Sequence, residues 1–341
     1  MKPDYEHSSE TPVIRRNWSS QQIADRIKSL PFWTGEIELN QKFGGLQNRT
    51  YFITDRDGRR YVARSGFDQG RIVQTSVVAC TRAAANLGIG PRVRYFEPHL
   101  FITDYIEGPQ LQQENQQDRR ILTRILDVMK VLHSGSEALP YSVVYWAPFA
   151  TVRRYLADLE AGFPSAEVKP SAWAPQVPFF RDVTCRLERA IEPFVPVLTH
   201  NDVGFANMMF RTPAKDEIWL IDWDGGGYGN PMWDIGELAM WADSDEPLDR
   251  FMLTYYWGKL TKRQMKERLR QHVAYKIMGA LRLMAECAQA AIDPAYYLSP
   301  QEVAESMEAV LPGEGLELAG LVELLRPRFD SLWEAHGREY L

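Results

Sequence analysis

The sequence predicts an α+β fold in two lobes, a small β-rich one followed by a larger, mostly helical one. Three observations carry that expectation. Leu39 to Arg64 is rich in β-branched and aromatic residues arranged around an Asp-Gly turn. Further on, Ile121, Leu122, Ile125, Leu126, Met129 and Leu132 form an apolar stripe at helical spacing. Between them Glu107-Gly108-Pro109 breaks both patterns, which puts the interlobe hinge near Asp104–Gly108. The chain of 341 residues is long enough to bury a substantial core in two lobes. It divides into a tail and short helix (1–30), the small lobe (31–106) and the large lobe (107–341).

The elements follow in order. Residues 1–18 read as a polar tail. Ser19 or Ser20 caps a short helix that runs to about Leu30. Thr50–Thr54 and Tyr61–Arg64 are strands joined through Arg56-Asp57-Gly58, where Asp-Gly tolerates positive φ. A helix from about Gln74 to Asn86 stops at Gly88, a C-terminal cap. Arg92–Tyr95 and Leu100–Tyr105 are two further strands. Residues 163–179 hold four prolines and little periodicity, the pattern of a loop or insertion, placed near the acceptor side. Long helices span Lys262 to Ile292. Ser299-Pro300-Gln301-Glu302 is a capping box with proline at the first helical position. The last helix covers about Leu316 to His336.

Composition narrows the class. Hydrophobic content of 45% with 25% charged residues is that of a soluble globular chain rather than a disordered one. A net charge of −6 argues against a general nucleic-acid binder and is compatible with a cationic small substrate. Cys80, Cys185 and Cys287 are odd in number, widely spaced and without a metal-binding spacing, which fits a reducing cytoplasm. No apolar run approaches the ~20 residues of a membrane span, and Met1–Arg16 lacks an apolar signal core.

The chemistry concentrates in His200-Asn201-Asp202-Val203-Gly204-Phe205-Ala206-Asn207 and Ile221-Asp222-Trp223-Asp224. An Asp and an Asn five positions apart on one loop, followed by a carboxylate at the end of the apolar run Ile218–Ile221, suit phosphoryl transfer from a metal-bound nucleotide. Such a site must hold magnesium through oxygen ligands and take a proton from the acceptor hydroxyl. Asp202 is the candidate base, with His200 beside it in the catalytic loop. Asn207 and Asp222 are candidate metal ligands. Asp224 points with Asp222 if the strand continues, to bind a second ion or orient a metal water. Taken singly, an Asp-x-Asp after a strand is as readily a solvated turn, and a lone His a structural residue. The joint H-x-D-x-x-x-x-N spacing and the strand-end acid favour a kinase.

On these residues the chain resembles the aminoglycoside phosphotransferase and choline kinase family. Gly44-Gly45-Leu46-Gln47-Asn48 matches the G-G-x-x-N turn of the choline and ethanolamine kinase branch, and Asp234-Ile235-Gly236 a downstream D-x-G. The resemblance covers roughly residues 35 to 290. It implies a protein kinase-like two-lobed fold whose small lobe covers the nucleotide, with ATP and Mg2+ as cofactors and a small hydroxyl compound as acceptor. Asp234 is then a brace for the catalytic loop, and Leu132-His133 ends a helix, His133 being a surface or packing residue.

Gly44 and Gly45 would let a turn approach phosphates, with Asn48 closing it, and Arg64 offers a cation that forks onto phosphate oxygens. The resemblance assigns adenine to the hinge backbone at Tyr105 and Ile106. No Asp or Glu occurs from Gln69 to Phe96, where the usual acidic partner of Arg64 would sit. Gln74 and Thr75 occupy that place, so Arg64 pairs with Asp68, is held by phosphate alone, or is misassigned. For the acceptor, Trp223, Tyr228 and Trp241 are candidate aromatic faces for an ammonium group, although aromatics at helical spacing are usually core. The family's later aromatic near Leu283–Gln289 is replaced by Met284-Ala285-Glu286, where Glu286 would meet an amine. Choline or ethanolamine is the first expectation, and thiamine, an aminoglycoside or a sugar the alternatives. A D-x-D-G phosphatase at Asp222 leaves His200–Asn207 unexplained. A kinase-like binding or regulatory protein is the third reading, motivated by the missing partner of Arg64.

Overall fold

The computed structural model describes residues 12–42, 47–68, 72–112, 115, 117–135, 143–212, 217–310 and 318–340. Gly44 and Gly45 of the expected phosphate turn lie outside them.

The small lobe is one antiparallel sheet. Strands β1 (Ile37–Lys42), β2 (Arg49–Asp55), β3 (Arg60–Ser65), β4 (Val93–Glu97) and β5 (Leu100–Asp104) lie in the order β1-β2-β3-β5-β4. Alternation sets the buried face: Tyr51 and Ile53 of β2 pack with Ala63 of β3 and Ile102 of β5. Gly58 takes φ +78° in the β2–β3 turn, and the Asp55 carboxylate accepts the amides of Asp57 and Arg59. Helix α1 (Ser20–Lys28) is capped by Ser19, whose hydroxyl and the Gln22 side chain satisfy each other's backbone amides. Helix α2 (Gln74–Asn86) follows β3 and ends where Gly88 adopts φ +76°.

The strands give way to helices between Asp104, the end of β5, and the helix that starts at Arg119. Gly108 has φ +139°, and a Cβ there would lie 1.6 Å from the Phe210 carbonyl oxygen, so only glycine fits. The large lobe then runs through α3 (Arg119–Ser134), α4 (Pro148–Ala161), α5 (Val177–Glu188), β6 (Val197–Thr199), β7 (Met208–Thr212), β8 (Glu217–Leu220), β9 (Gly227–Gly229), α6 (Pro231–Trp241), α7 (Glu246–Trp257) and α8 (Lys262–Ile292). Two short antiparallel pairs, β6 with β9 and β7 with β8, carry the signature motifs. The α3 stripe is buried as its spacing requires. The proline-rich stretch 163–176 folds as short turns leading into α5. Its contacts run to Leu159, Phe180 and Arg326.

Helix α9 (Pro300–Val310) leaves the large lobe. Tyr297, Leu298, Val303 and Met307 join the apolar core under the small-lobe sheet with Ile23, Ile27 and Tyr51. Helix α10 (Leu318–His336) then returns to pack along α8. No helix among the described residues is long and apolar enough to cross a membrane.

Candidate active site

The loop between β6 and β7 is held from beneath by α6. Asp234, fully buried, accepts the amide of His200 at 2.9 Å and that of Asn201 at 2.8 Å. Asn201 takes φ +64°, a conformation Asn tolerates, and its Nδ2 donates to the Gly225 carbonyl at 2.8 Å. Glu237, one turn further along α6 and also fully buried, accepts the Val203 amide at 3.1 Å. These bonds fix the backbone on both sides of Asp202. They match the bracing expected of Asp234. His133 is a buried packing residue, with Nδ1 2.6 Å from the Tyr256 hydroxyl and Nε2 3.1 Å from Asp234.

Asp202 is half-buried. Asn207 donates Nδ2 to its Oδ2 at 3.2 Å and to its backbone carbonyl at 2.9 Å, so the two residues the motif separates by five positions meet. The Asn207 carbonyl accepts the Ile221 amide, which ties the loop to the end of β8 next to Asp222. His200 is wholly buried, and its Nε2 donates to the Ile221 carbonyl at 2.8 Å. Near Asp202 in sequence, it thus faces the second motif and joins the two backbones.

Asp222 does not continue the strand. It takes φ +60°, and Trp223–Gly225 forms a tight turn. The two-residue period that was to align Asp222 with Asp224 is therefore lost, yet both carboxylates converge on Arg64 of β3. Arg64 donates Nη1 to Asp222 at 2.9 Å and Nη2 to Asp224 at 3.2 Å. Burial alone would raise the Asp222 carboxyl, but Arg64 outweighs it and holds it below its usual range. Burial disfavours the Arg64 charge, and the two carboxylates more than offset that. Asn48 also donates to Asp224. A Cβ on Gly66 would lie 1.7 Å from Asn48 Oδ1, so that glycine makes room for Asn48.

The partner of Arg64 thus comes from the turn after β8. Asp68 instead caps α2, accepting the Gln74 amide at 2.8 Å. Helix α2 sits directly on the Asp222–Gly226 turn. Its buried small residues Ser76, Cys80 and Ala84 form the contact face, and a Cβ on Gly226 would come 2.9 Å from Cys80 Cβ. At the hinge the Tyr105 amide donates to the Arg60 carbonyl at 3.1 Å.

Of the candidate acceptor residues, Trp241 and Glu286 reach the catalytic loop. A Cβ on Gly204 would lie 3.4 Å from Trp241 Nε1, and Trp241 meets Phe205 edge-on. Glu286 receives Arg282 Nη1 at 2.7 Å, and Arg282 Nη2 also reaches Asp202 at 3.4 Å and Glu237. Trp223 is buried against His200 as core, and Tyr228 is half-buried in β9, its backbone bonded to Val144 and Trp146. Sequence reasoning missed Glu237 and Arg282. Glu237 carried one signal, standing three positions after Asp234 and so on the same helical face.

A sheet lobe over a helical lobe, with a braced Asp-Asn loop facing a strand-end carboxylate, is the fold of a protein kinase-like phosphotransferase. The chain belongs to the phosphotransferase enzyme family, whose profile matches residues 41–272. Similar solved structures include a choline/ethanolamine kinase family protein from Mesorhizobium loti at 21% identity and TM-score 0.62, covering 92% of this chain and 94% of that one. An ethanolamine kinase from Plasmodium vivax is 15% identical with TM-score 0.61, over 86% and 84% of the chains. A choline kinase from Streptococcus pneumoniae is 19% identical with TM-score 0.60, over 88% and 98%. No curated protein sequence matches the chain.

Proposed function

We propose that this chain is an ATP- and magnesium-dependent kinase that phosphorylates the hydroxyl of an amino alcohol such as choline or ethanolamine. The observation that carries the reading is the convergence of Asp202 with Asn207 on one braced loop, beside Asp222 and its cation Arg64. The Streptococcus pneumoniae choline kinase has also been solved in complex with AMP, which supports a nucleotide as co-substrate of this fold.

The donor set suits magnesium. Asp222 gives a partly exposed carboxylate, and Asn207, whose Nδ2 is committed to Asp202, gives an amide oxygen. Asp224, held inward by Asn48 and Arg64, would orient from behind. Magnesium, when bound, would neutralise phosphate charge. Arg64 would move from the carboxylates onto phosphate oxygens, with adenine at the hinge backbone of Ile106. Asp202 would take the acceptor's hydroxyl proton as that oxygen bonds to the γ-phosphorus. The bond from phosphorus to the bridging oxygen breaks and ADP leaves. Asp202 and Glu286 give the acceptor side carboxylates for an ammonium group, with Trp241 as its aromatic wall.

The test is ADP release with magnesium-ATP over amino alcohols, thiamine, aminoglycosides and sugars. Turnover confined to amino alcohols is the expected result. Turnover on another class would replace the acceptor, and Glu286 in place of the family's aromatic is what favours that second reading. No ADP release with any acceptor would leave a binding or regulatory protein.

A further inference from the structure

Arg282 lies in the middle of α8 with 1% of its side chain exposed. Taking a guanidinium out of water is costly unless it is paired. Here it meets carboxylates from three elements. Nη2 donates to Asp202 of the loop at 3.4 Å and to Glu237 of α6, and Nη1 donates to Glu286 of α8 at 2.7 Å. Glu286 in turn accepts Gln47 Nε2 of the small lobe at 2.9 Å. A planar fork can hold several carboxylates at fixed angles, which an ammonium on a flexible stem cannot.

We propose that Arg282 is a positioning residue, whose buried guanidinium fixes the carboxylate plane of Asp202 and links it through Glu286 to Gln47 in the small lobe. The inference rests on the reading of Asp202 as the base. The two oxygens of Asp202 are gripped from opposite partners, Oδ1 by Arg282 and Oδ2 by Asn207. Both rotation about the side chain and tilt of the carboxylate are then set by the protein, as in-line proton removal requires. Glu237 holds the other end of the clamp and the Val203 amide at once, so guanidinium and loop backbone share one anchor. Gln47 is part of the Gly44–Asn48 sequence expected to form the phosphate turn. The position of the small lobe over the nucleotide is thereby coupled to the base, without contact between Arg282 and either substrate.

The experiment compares kcat, the KM for ATP and the folded fraction by circular dichroism for wild type, Arg282→Gln, Arg282→Lys, Gln47→Ala and Asp202→Ala. Misplacing a base by about 1 Å costs on the order of 10²-fold. Arg282→Gln is expected to lose about that in kcat per folded molecule, with the KM for ATP within about twofold. Arg282→Lys, keeping the charge but one nitrogen, recovers part of the loss. A kcat per folded molecule within about threefold of wild type in Arg282→Gln overturns the proposal and reduces Arg282 to a staple between helices. Should that variant not fold, Gln47→Ala decides: a lower kcat at unchanged KM for ATP supports the link, and an unchanged kcat overturns it. Full turnover in Asp202→Ala would sink the underlying assignment as well. An inactive Asp202→Ala beside intact Arg282 variants sinks this inference alone.

Discussion

Gly66 and Glu237 give two separate handles on the site at the level of single residues. A methyl at position 66 would collide with Asn48 Oδ1, only 1.7 Å away, so Gly66→Ala must push Asn48 off Asp224. Overpacking of this kind costs about 1–3 kcal/mol. The expected outcome is a lower Tm together with a raised KM for ATP, read by thermal melts and initial rates. Glu237 is pushed up from 4.5 to about 7, first by burial, with Arg282 pulling the other way. Because its folded value is the higher one, the folded state binds more protons than the unfolded state between those pH values. Its contribution to stability is therefore full below about pH 4.5 and is lost as pH rises toward 7. Denaturant melts should show that decline in wild type and a flatter curve in Glu237→Gln. The motif residues themselves were legible because their relation is local: Asp202 and Asn207 share one loop, and Asp222 follows a short strand. Arg282 was illegible, since its meaning depends on packing α8 against residues 45 and 80 positions earlier.

Among the elements, α6 is the one on which the site stands. Its first turns present Asp234 and Glu237 to the loop, and together they hold the amides of His200, Asn201 and Val203. Asp234→Ala would leave buried donors unsatisfied at about 1–3 kcal/mol each. It should lower the Tm and the kcat together while leaving the KM for ATP near its wild-type value, measurable on the same preparation. Strands β2 to β5, with α1, α2 and α3, could be placed from pattern alone, because β-rich composition, capping residues and the apolar stripe all agree with the fold. The partner of Arg64 could not. The sequence of α2 has no acid, and that absence suggested a defect. Its small residues instead let the helix sit on the Asp222–Gly226 turn, and the turn supplies the acids. Period-two reasoning also failed beyond Leu220, because the positive φ of Asp222 ends the strand.

At the scale of the whole molecule, the chain crosses between its lobes at the hinge and again at α9. Arg49 of β2 pairs with Glu302 at 2.5 Å, donates to the Tyr297 hydroxyl at 3.1 Å and lies over that ring. Burial opposes the Glu302 charge, but Arg49 and the Ser299 cap hold its carboxyl down at about 2, so the pair is ionised at neutral pH. Breaking a largely buried pair by removing one partner costs about 3–5 kcal/mol. Glu302→Ala is thus expected to lower the Tm by several degrees with a smaller change in kcat, since α9 steadies the small lobe at a distance from Asp202. The capping box at Ser299–Glu302 was readable, whereas its side chains' second use across the lobes was not, because nothing local reports where α9 docks.

Asp202→Ala decides whether Asp202 takes the acceptor proton in a nucleotide-dependent transfer. ADP release with magnesium-ATP and an amino alcohol is measured for wild type and variant, with ATP affinity determined alongside by calorimetry. Loss of about 10²–10⁴-fold in kcat, the usual contribution of a positioned base, with ATP affinity retained is the result expected. Undiminished turnover by a folded Asp202→Ala protein would rule out Asp202 as the base.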